Sequence, residues 1–234
     1  RKKVQYNDSI AGILLLTPDN PTGAVYPREI VERIAAIAHE CDVFLIADEI
    51  YANIVYNGTG RLHMSEWIGD VPGIAMRGIS KEFPWPGARC GWLEILNKDK
   101  DSNFAHYVDS LLAAKRLEVS STTLPQMSIP RIMGDPRYPE HLDARSKQFS
   151  RRADEMSGVF GGCEHIIANK PGGAFYLFPR SPIEDDVSFV DELRKHRVLV
   201  VPGAGFGSPG HFRISYSVTD RTLEGSLDGF RKAF

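Results

Sequence analysis

Apolar residues in the first part of this chain fall into short unbroken runs, alternating with a stretch of helical period. "IAGILLLT" (residues 10–17) is a buried-strand pattern ended by the turn residues of "PDNPTG". "PREIVERIAAIAHE" (27–40) then places Ile30, Ile34, Ile37 and Ala38 at helical spacing, with Pro27 suited to a first helical position. "VFLIA" (43–47) returns to a continuous apolar run. Strand, helix, strand in this order predicts parallel strands joined by a right-handed crossover and covered on both faces. "GIAMRG" (73–78) and "CGWLEIL" (90–96) are the third and fourth strand candidates.

Helical period resumes over 101–117, is broken by "VSSTTLPQ" (119–126), and returns in a long charged segment, 139–160, with Gly161 and Gly162 as its stop. Beyond it the pattern shifts. "GGAFYLFP", "VLVVPG" and "HFRISYSV" read as strands, and "DDVSFVDELRKHR" and "TLEGSLDGFRKAF" as helices. The expected architecture is therefore α/β over residues 1–147, mainly parallel, with a smaller α+β domain over 148–234.

Composition narrows the function classes. Among 234 residues, 42% are hydrophobic and 25% charged, enough apolar content for a substantial core. Lys and Arg total 28 against 30 Asp and Glu, a net charge of -2 that leaves no electrostatic footprint for nucleic acid or an acidic membrane. Neither a long apolar run nor a charged-then-apolar leader is present, so a membrane span or secretory signal is not expected. Cys41, Cys90 and Cys163 are odd in number and far apart, which suits small core residues in a reducing, cytoplasmic setting.

Three familiar chemistries lack their anchors. "VPGAGFGSPG" (201–210) follows a strand, but Ser208 stands where a dinucleotide fingerprint starting at Gly203 needs its last glycine, and a strand pattern replaces the required helix. The seven histidines are scattered without ligand spacing, so no metal is expected. No GxSxG elbow is present.

Three strand ends carry polar residues instead. Asn20 follows the first strand, Asp48 the second and Lys81 the third, and in a parallel sheet all three emerge at the carboxyl edge, where open α/β sheets bind ligands. Each has a simpler reading: Asn20 a turn residue, Asp48 a cap, Lys81 a solvated cation. Together with Arg89 they suit one chemistry. A lysine amine forms a Schiff base with an aldehyde cofactor, a carboxylate keeps a pyridine nitrogen protonated, and an arginine fork neutralises a phosphate. Tyr51, three residues after Asp48, is spaced to share its side of a helical turn and donate to a ring phenolate.

The motifs "DNPTG" (19–23), "ADEIY" (47–51), "SK" with Arg89-Cys90-Gly91-Trp92 after it (80–92), "PGGAFYLFP" (171–179) and "FRISYS" (212–217) occur in order. In this the chain resembles the class I/II aminotransferases of the aspartate aminotransferase superfamily, which are fold-type I pyridoxal-phosphate enzymes. The resemblance implies pyridoxal 5'-phosphate as cofactor, Lys81 as Schiff-base lysine and proton shuttle, and Asp48 on the pyridinium nitrogen. It further implies Asn20 and Tyr51 at the ring hydroxyl oxygen, Arg89 and Ser80 at the phosphate, and Arg213, with Asn20, at the substrate α-carboxylate. Gly78 stands where some members carry a phosphate-binding serine.

The implied substrates are an amino acid and a 2-oxo acid, and the implied assembly is a homodimer. A C–S β-lyase or related carbanion enzyme shares the same residues, and an aminotransferase-like sensor domain of a transcription regulator is a reading of another class. The resemblance covers nearly the whole chain but only the C-terminal part of the family pattern. A fragment, inactive alone, is therefore expected.

Overall fold

The computed structural model describes residues 1–7, 9–160 and 168–233. Cys163 and the glycine stop expected at Gly161 and Gly162 lie outside them. The chain forms two compact units, one of residues 1–17, 26–53 and 61–142, the other of 18–25, 54–60 and 143–234. The expected division at 147/148 was a single cut along the chain, whereas two short early stretches belong to the second unit.

The first unit opens with a short helix, α1 (Lys2–Gln5), and is built on a four-stranded sheet of order β1 (Gly12–Leu16), β2 (Phe44–Asp48), β3 (Gly73–Gly78), β4 (Gly91–Leu96). The first three strands are parallel, as their unbroken apolar runs predict, while β4 returns antiparallel to β3. Leu16, Asp48 and Met76 are in register, so β1, β2 and β3 reach the same edge together.

Strand alternation divides the sheet's two faces. Leu45 and Ala47 pack with Ala75 against Val31, Ala35 and Ala38 of α2 (Arg28–Glu40). Phe44 and Ile46 face Phe104 and Val108, which lie on α4 (Ser102–Arg116), a helix whose start is capped by Asp101. Complete burial of a side chain such as Leu45 contributes about 1.5–3 kcal/mol.

Two details of α2 differ from the expected pattern. Its buried stripe is Val31, Ala35 and Ala38, one position round from the predicted isoleucines, and Ile30 is exposed. Small alanines let the helix backbone approach the sheet, and larger residues flank the contact. Pro27 is the N-cap, with extended backbone, rather than the first helical residue.

A four-residue helix, α3 (Ile79–Glu82), follows β3. α5 (Thr123–Met133) occupies a stretch that the breaker residues had left without an element, and it carries Pro130 in its interior. α6 (Tyr138–Gly158) is the long charged helix expected from the pattern.

The second unit holds a three-stranded antiparallel sheet of order β5 (Tyr176–Leu177), β7 (Phe212–Ser215), β6 (Val201–Pro202). Helices α7 (Asp186–Lys195) and α8 (Asp220–Ala233) accompany it. Its strands are shorter than their apolar runs, because a run records burial and not the length of a paired ladder. Aromatic rings dominate this core: Phe149 lies 5.3 Å from Phe175, Phe189 5.1 Å from Phe212, and Phe160 5.7 Å from Phe230.

Candidate active site

In the first unit, five of the expected residues gather where β2 and β3 end. Asp48 is the last residue of β2, on the face of Phe44 and Ile46 by alternation. Its Oδ1 accepts a hydrogen bond from the Ile50 amide at 3.1 Å, closing the turn that carries the buried Tyr51. Tyr51 sits in that turn rather than on a helix, so the expected i+3 helical relationship does not form.

Ser80 and Lys81 are half-buried in α3, immediately beyond β3. Gly78, the residue between strand and helix, is crowded: a Cβ there would lie 3.1 Å from Ile50 Cδ1 and 3.2 Å from the Cys90 carbonyl. A serine at this position would press on the turn that follows Asp48. Arg89 is exposed, in the left-handed region with φ 50°, and its Nη1 donates to the Pro86 carbonyl at 2.8 Å. One of its five N–H donors is used in that bond.

Asp48 is followed by Glu49, and alternation turns the two carboxylates to opposite sides of the sheet. Glu49 is buried, 4% exposed, and is held by three donors. Arg77 Nε lies 2.9 Å and His63 Nδ1 3.0 Å from its Oε2, and the Met64 amide donates to Oε1. Burial opposes its ionisation, but the His63, Met64 and Arg77 contacts outweigh burial and hold the carboxyl below its ordinary range. Arg77 also reaches Glu94 of β4 at 3.1 Å. Glu82, directly after Lys81, accepts from Asn53 Nδ2 at 2.8 Å, and burial pushes its carboxyl upward.

In the second unit the remaining two expected residues meet. Arg213 Nη1 donates to Asn20 Oδ1 at 2.8 Å. The guanidinium carbon lies 4.7 Å from the ring centre of Tyr176 and 4.7 Å from that of Phe206, so the cation is enclosed by two aromatic rings. Its Nε is buried with no hydrogen-bond partner among the described residues. An arginine steadied by one amide and keeping a buried N–H unmet is arranged for an anion with two oxygens in a plane.

Asn20 satisfies its turn reading as well. The turn is made by its neighbours: Asp19 accepts from Thr22, and Gly23, at φ 68°, donates its amide to the Asp19 carbonyl at 2.9 Å. That leaves the Asn20 side chain for Arg213.

The glycine-rich loop that fails as a dinucleotide fingerprint builds one wall of this arginine site. A short 3-10 turn (Gly203–Phe206) presents Phe206, and a Cβ at Gly203 would lie 2.3 Å from the Ser208 carbonyl. Asp186 clamps the loop by accepting from the amides of Ala204 at 2.8 Å and Gly210 at 3.3 Å. Burial opposes ionisation of Asp186, and those two amides hold its carboxyl below the ordinary range.

Sequence reasoning missed Tyr176 and Phe206 as walls, and Glu49, Arg77, His63, Asn53 and Glu82 as support. The one available signal was the adjacent pair Asp48-Glu49, since consecutive residues at a strand end cannot share a face. Among the described residues, no three His, Cys, Asp or Glu side chains are grouped to hold a metal ion, and no helix is long and apolar enough to cross a membrane.

In the first unit a carboxylate ends β2 and a lysine follows β3 of a mainly parallel α/β sheet, and in the second unit two rings enclose an arginine. The chain belongs to the aminotransferase class I and II family, whose model matches residues 2–230. It is 52% identical over 176 residues to an uncharacterised aminotransferase of Methanocaldococcus jannaschii, covering 75% of this chain and 41% of that protein. With a glutamate-pyruvate aminotransferase of Haemophilus influenzae the identity is 30% over 220 residues, 91% of this chain and 54% of the relative. An alanine aminotransferase structure from Pyrococcus furiosus matches with a TM-score of 0.85 at 31% identity, covering 97% of this chain and 58% of that one. The chain thus spans about half the length of the curated relatives it matches.

Proposed function

We propose that the protein carrying this chain is a pyridoxal 5'-phosphate-dependent aminotransferase moving an amino group between an amino acid and a 2-oxo acid. The observation that carries this reading is the pairing of Asp48, closing β2, with Lys81, just past the neighbouring parallel strand β3, on one sheet edge. The names of the glutamate-pyruvate and alanine aminotransferase relatives favour the same substrates. Residues 1–147 are taken as the C-terminal part of the cofactor-binding large domain and 148–234 as the small domain, in a cytoplasmic homodimer.

The donor set fits the cofactor. Asp48 Oδ2 suits a protonated ring nitrogen, the Tyr51 hydroxyl and Asn20 amide suit the ring hydroxyl oxygen, and Ser80 and Arg89 suit the phosphate. Because Asn20 Oδ1 accepts from Arg213, its Nδ2 is the end left to donate. Lys81 anchors the aldehyde through its amine. When bound, the cofactor supplies the electron sink for the pair left on the substrate α-carbon.

The chain's own residues do the rest. Arg213 holds the α-carboxylate with its fork, Asn20 fixes the direction of that fork, and Tyr176 and Phe206 keep water from the guanidinium faces. Once a substrate amine replaced it on the aldehyde, the freed Lys81 Nζ would be the base that takes the α-proton and the acid that gives it back.

Borohydride reduction of the protein with pyridoxal phosphate, followed by peptide mass mapping, tests the reading. The label is expected on Lys81 and is expected to vanish in Lys81→Ala. An unlabelled wild-type protein would sink it. Amination of an added 2-oxo acid without release of ammonia or sulfide separates transfer from C–S cleavage.

A further inference from the structure

Two carboxylates lie next to the candidate cofactor residues and outside the chemistry assigned to them. Glu49 directly follows Asp48, and Glu82 directly follows Lys81. Neither is idle. Glu49, at the end of β2, is bonded to Arg77 of β3 at 2.9 Å, and to His63 and the Met64 amide at the start of a short 3-10 turn. Its own amide donates to the Met76 carbonyl at 2.9 Å, so backbone and side chain both tie this strand end to β3. Glu82 is bonded to Asn53, two residues after Tyr51, across the gap between the turn after β2 and the helix that carries Lys81.

We propose, resting on the cofactor reading above, that Glu49 and Glu82 are positioning residues that together set the spacing between Asp48 and Lys81. Glu49 acts as an ion and Glu82 as a hydrogen-bond acceptor. The distinction follows from their partners. Glu49 satisfies a guanidinium, an imidazole and an amide, and a neutral side chain there leaves Arg77 shared with Glu94 alone. Glu82 meets the neutral amide of Asn53, which needs an oxygen and no charge.

The groups facing each carboxylate are consistent with this division. Around Glu49 the contacts of His63, the Met64 amide and Arg77 favour the ionised form over burial. Around Glu82 burial is the largest influence, and the Asn53 hydrogen bond and the charges of His63, Arg77 and Arg61 oppose it without overcoming it. These two environments push neighbouring carboxyls in opposite directions, on either side of one ligand edge.

The test uses Glu49→Gln, Glu82→Gln and Glu82→Ala in the complete polypeptide that carries these residues. Three quantities are read: the dissociation constant for pyridoxal phosphate, the pH midpoint of the absorbance change of the lysine-bound cofactor, and thermal unfolding of the cofactor-free protein. Glu49→Gln and Glu82→Ala are expected to raise the dissociation constant about tenfold or more, the scale on which partners behind a ligand act, and to move the pH midpoint. Glu82→Gln is expected to match wild type on both.

A purely structural role would lower the unfolding temperature while leaving the midpoint in place, and that result overturns the proposal. So does a Glu82→Gln protein as impaired as Glu82→Ala. If Glu49→Gln does not fold, the Glu82 pair still decides, since it leaves the Glu49 cluster untouched. A wild-type protein without the lysine-bound absorbance band overturns the cofactor reading and this proposal together. A band that is present but indifferent to the substitutions overturns this proposal alone.

Discussion

Arg213 and Asn20 stand 193 positions apart, yet the arginine's Nη1 donates to the asparagine's Oδ1 at 2.8 Å. Tyr176 and Phe206 enclose the same guanidinium, and under the proposed function this cage orients the arginine toward the substrate carboxylate. Arg213→Lys keeps the charge but loses the planar fork and both ring contacts. It is expected to lower kcat/KM for amino-acid substrates roughly 30- to 1000-fold, or about 2–4 kcal/mol. Steady-state kinetics would show this, and an unchanged value would remove Arg213 from the carboxylate role.

Phe206 depends on a loop that Gly203 and Asp186 hold in shape. Gly203→Ala drives a Cβ against the Ser208 and His211 carbonyls, at 2.3 and 2.7 Å, so the loop must shift and carry Phe206 with it. The expected outcome is a raised KM for amino acids with cofactor affinity unchanged. A KM equal to wild type would show that Phe206 is not a wall of the carboxylate site.

The buried hydroxyls of Tyr56 and Tyr216 are hydrogen-bonded to each other, and burial is the first cause holding both phenols above their ordinary range. Their substitutions are not equivalent. Tyr56 also donates toward the carbonyls of Gly173 and Ala174, at 3.1 and 3.2 Å, so Tyr216→Phe leaves it satisfied. A cost of about 1 kcal/mol is expected for that change. Tyr56→Phe strands the Tyr216 hydroxyl and both carbonyls, for about 1–3 kcal/mol. Urea unfolding of the two variants would reverse this order if the hydroxyl roles were exchanged.

Glu49 and Glu82 give stability opposite pH dependences. A carboxyl held below its usual 4.5 stabilises the fold above that value, and the contribution is lost as pH falls through the lower folded value. A carboxyl raised above 4.5 contributes below that value and loses the contribution as pH rises through the raised one. Glu49→Gln is therefore expected to flatten the acid side of the stability profile. Glu82→Gln is expected to flatten the decline just above it. Denaturant midpoints measured across the mildly acidic range would show each change separately.

The large elements were legible because their causes are local. Continuous apolar runs marked β1, β2 and β3 as parallel strands, and helical period marked α2, α4, α6, α7 and α8. α5 was not legible, since Pro130 in its interior argues against a helix that the folded chain accepts. The two-residue strands β5 and β6 looked longer in the pattern, because burial and ladder pairing are different properties.

The sequence by itself determined which residue types stand at which strand ends: Asp48 after one apolar run, Lys81 after the next, and Arg213 within "FRIS". Spacing and alternation are properties of neighbouring residues, so they survive without a fold. What only the tertiary structure decided is what each group touches. Asn20 spends its oxygen on Arg213, the glycine-rich loop brings Phe206 to that arginine, and Glu49 turns from its neighbour Asp48 toward Arg77. The Asn20–Arg213 and Glu49–Arg77 bonds join chain segments 193 and 28 positions apart, and packing rather than local preference brings them within hydrogen-bonding distance.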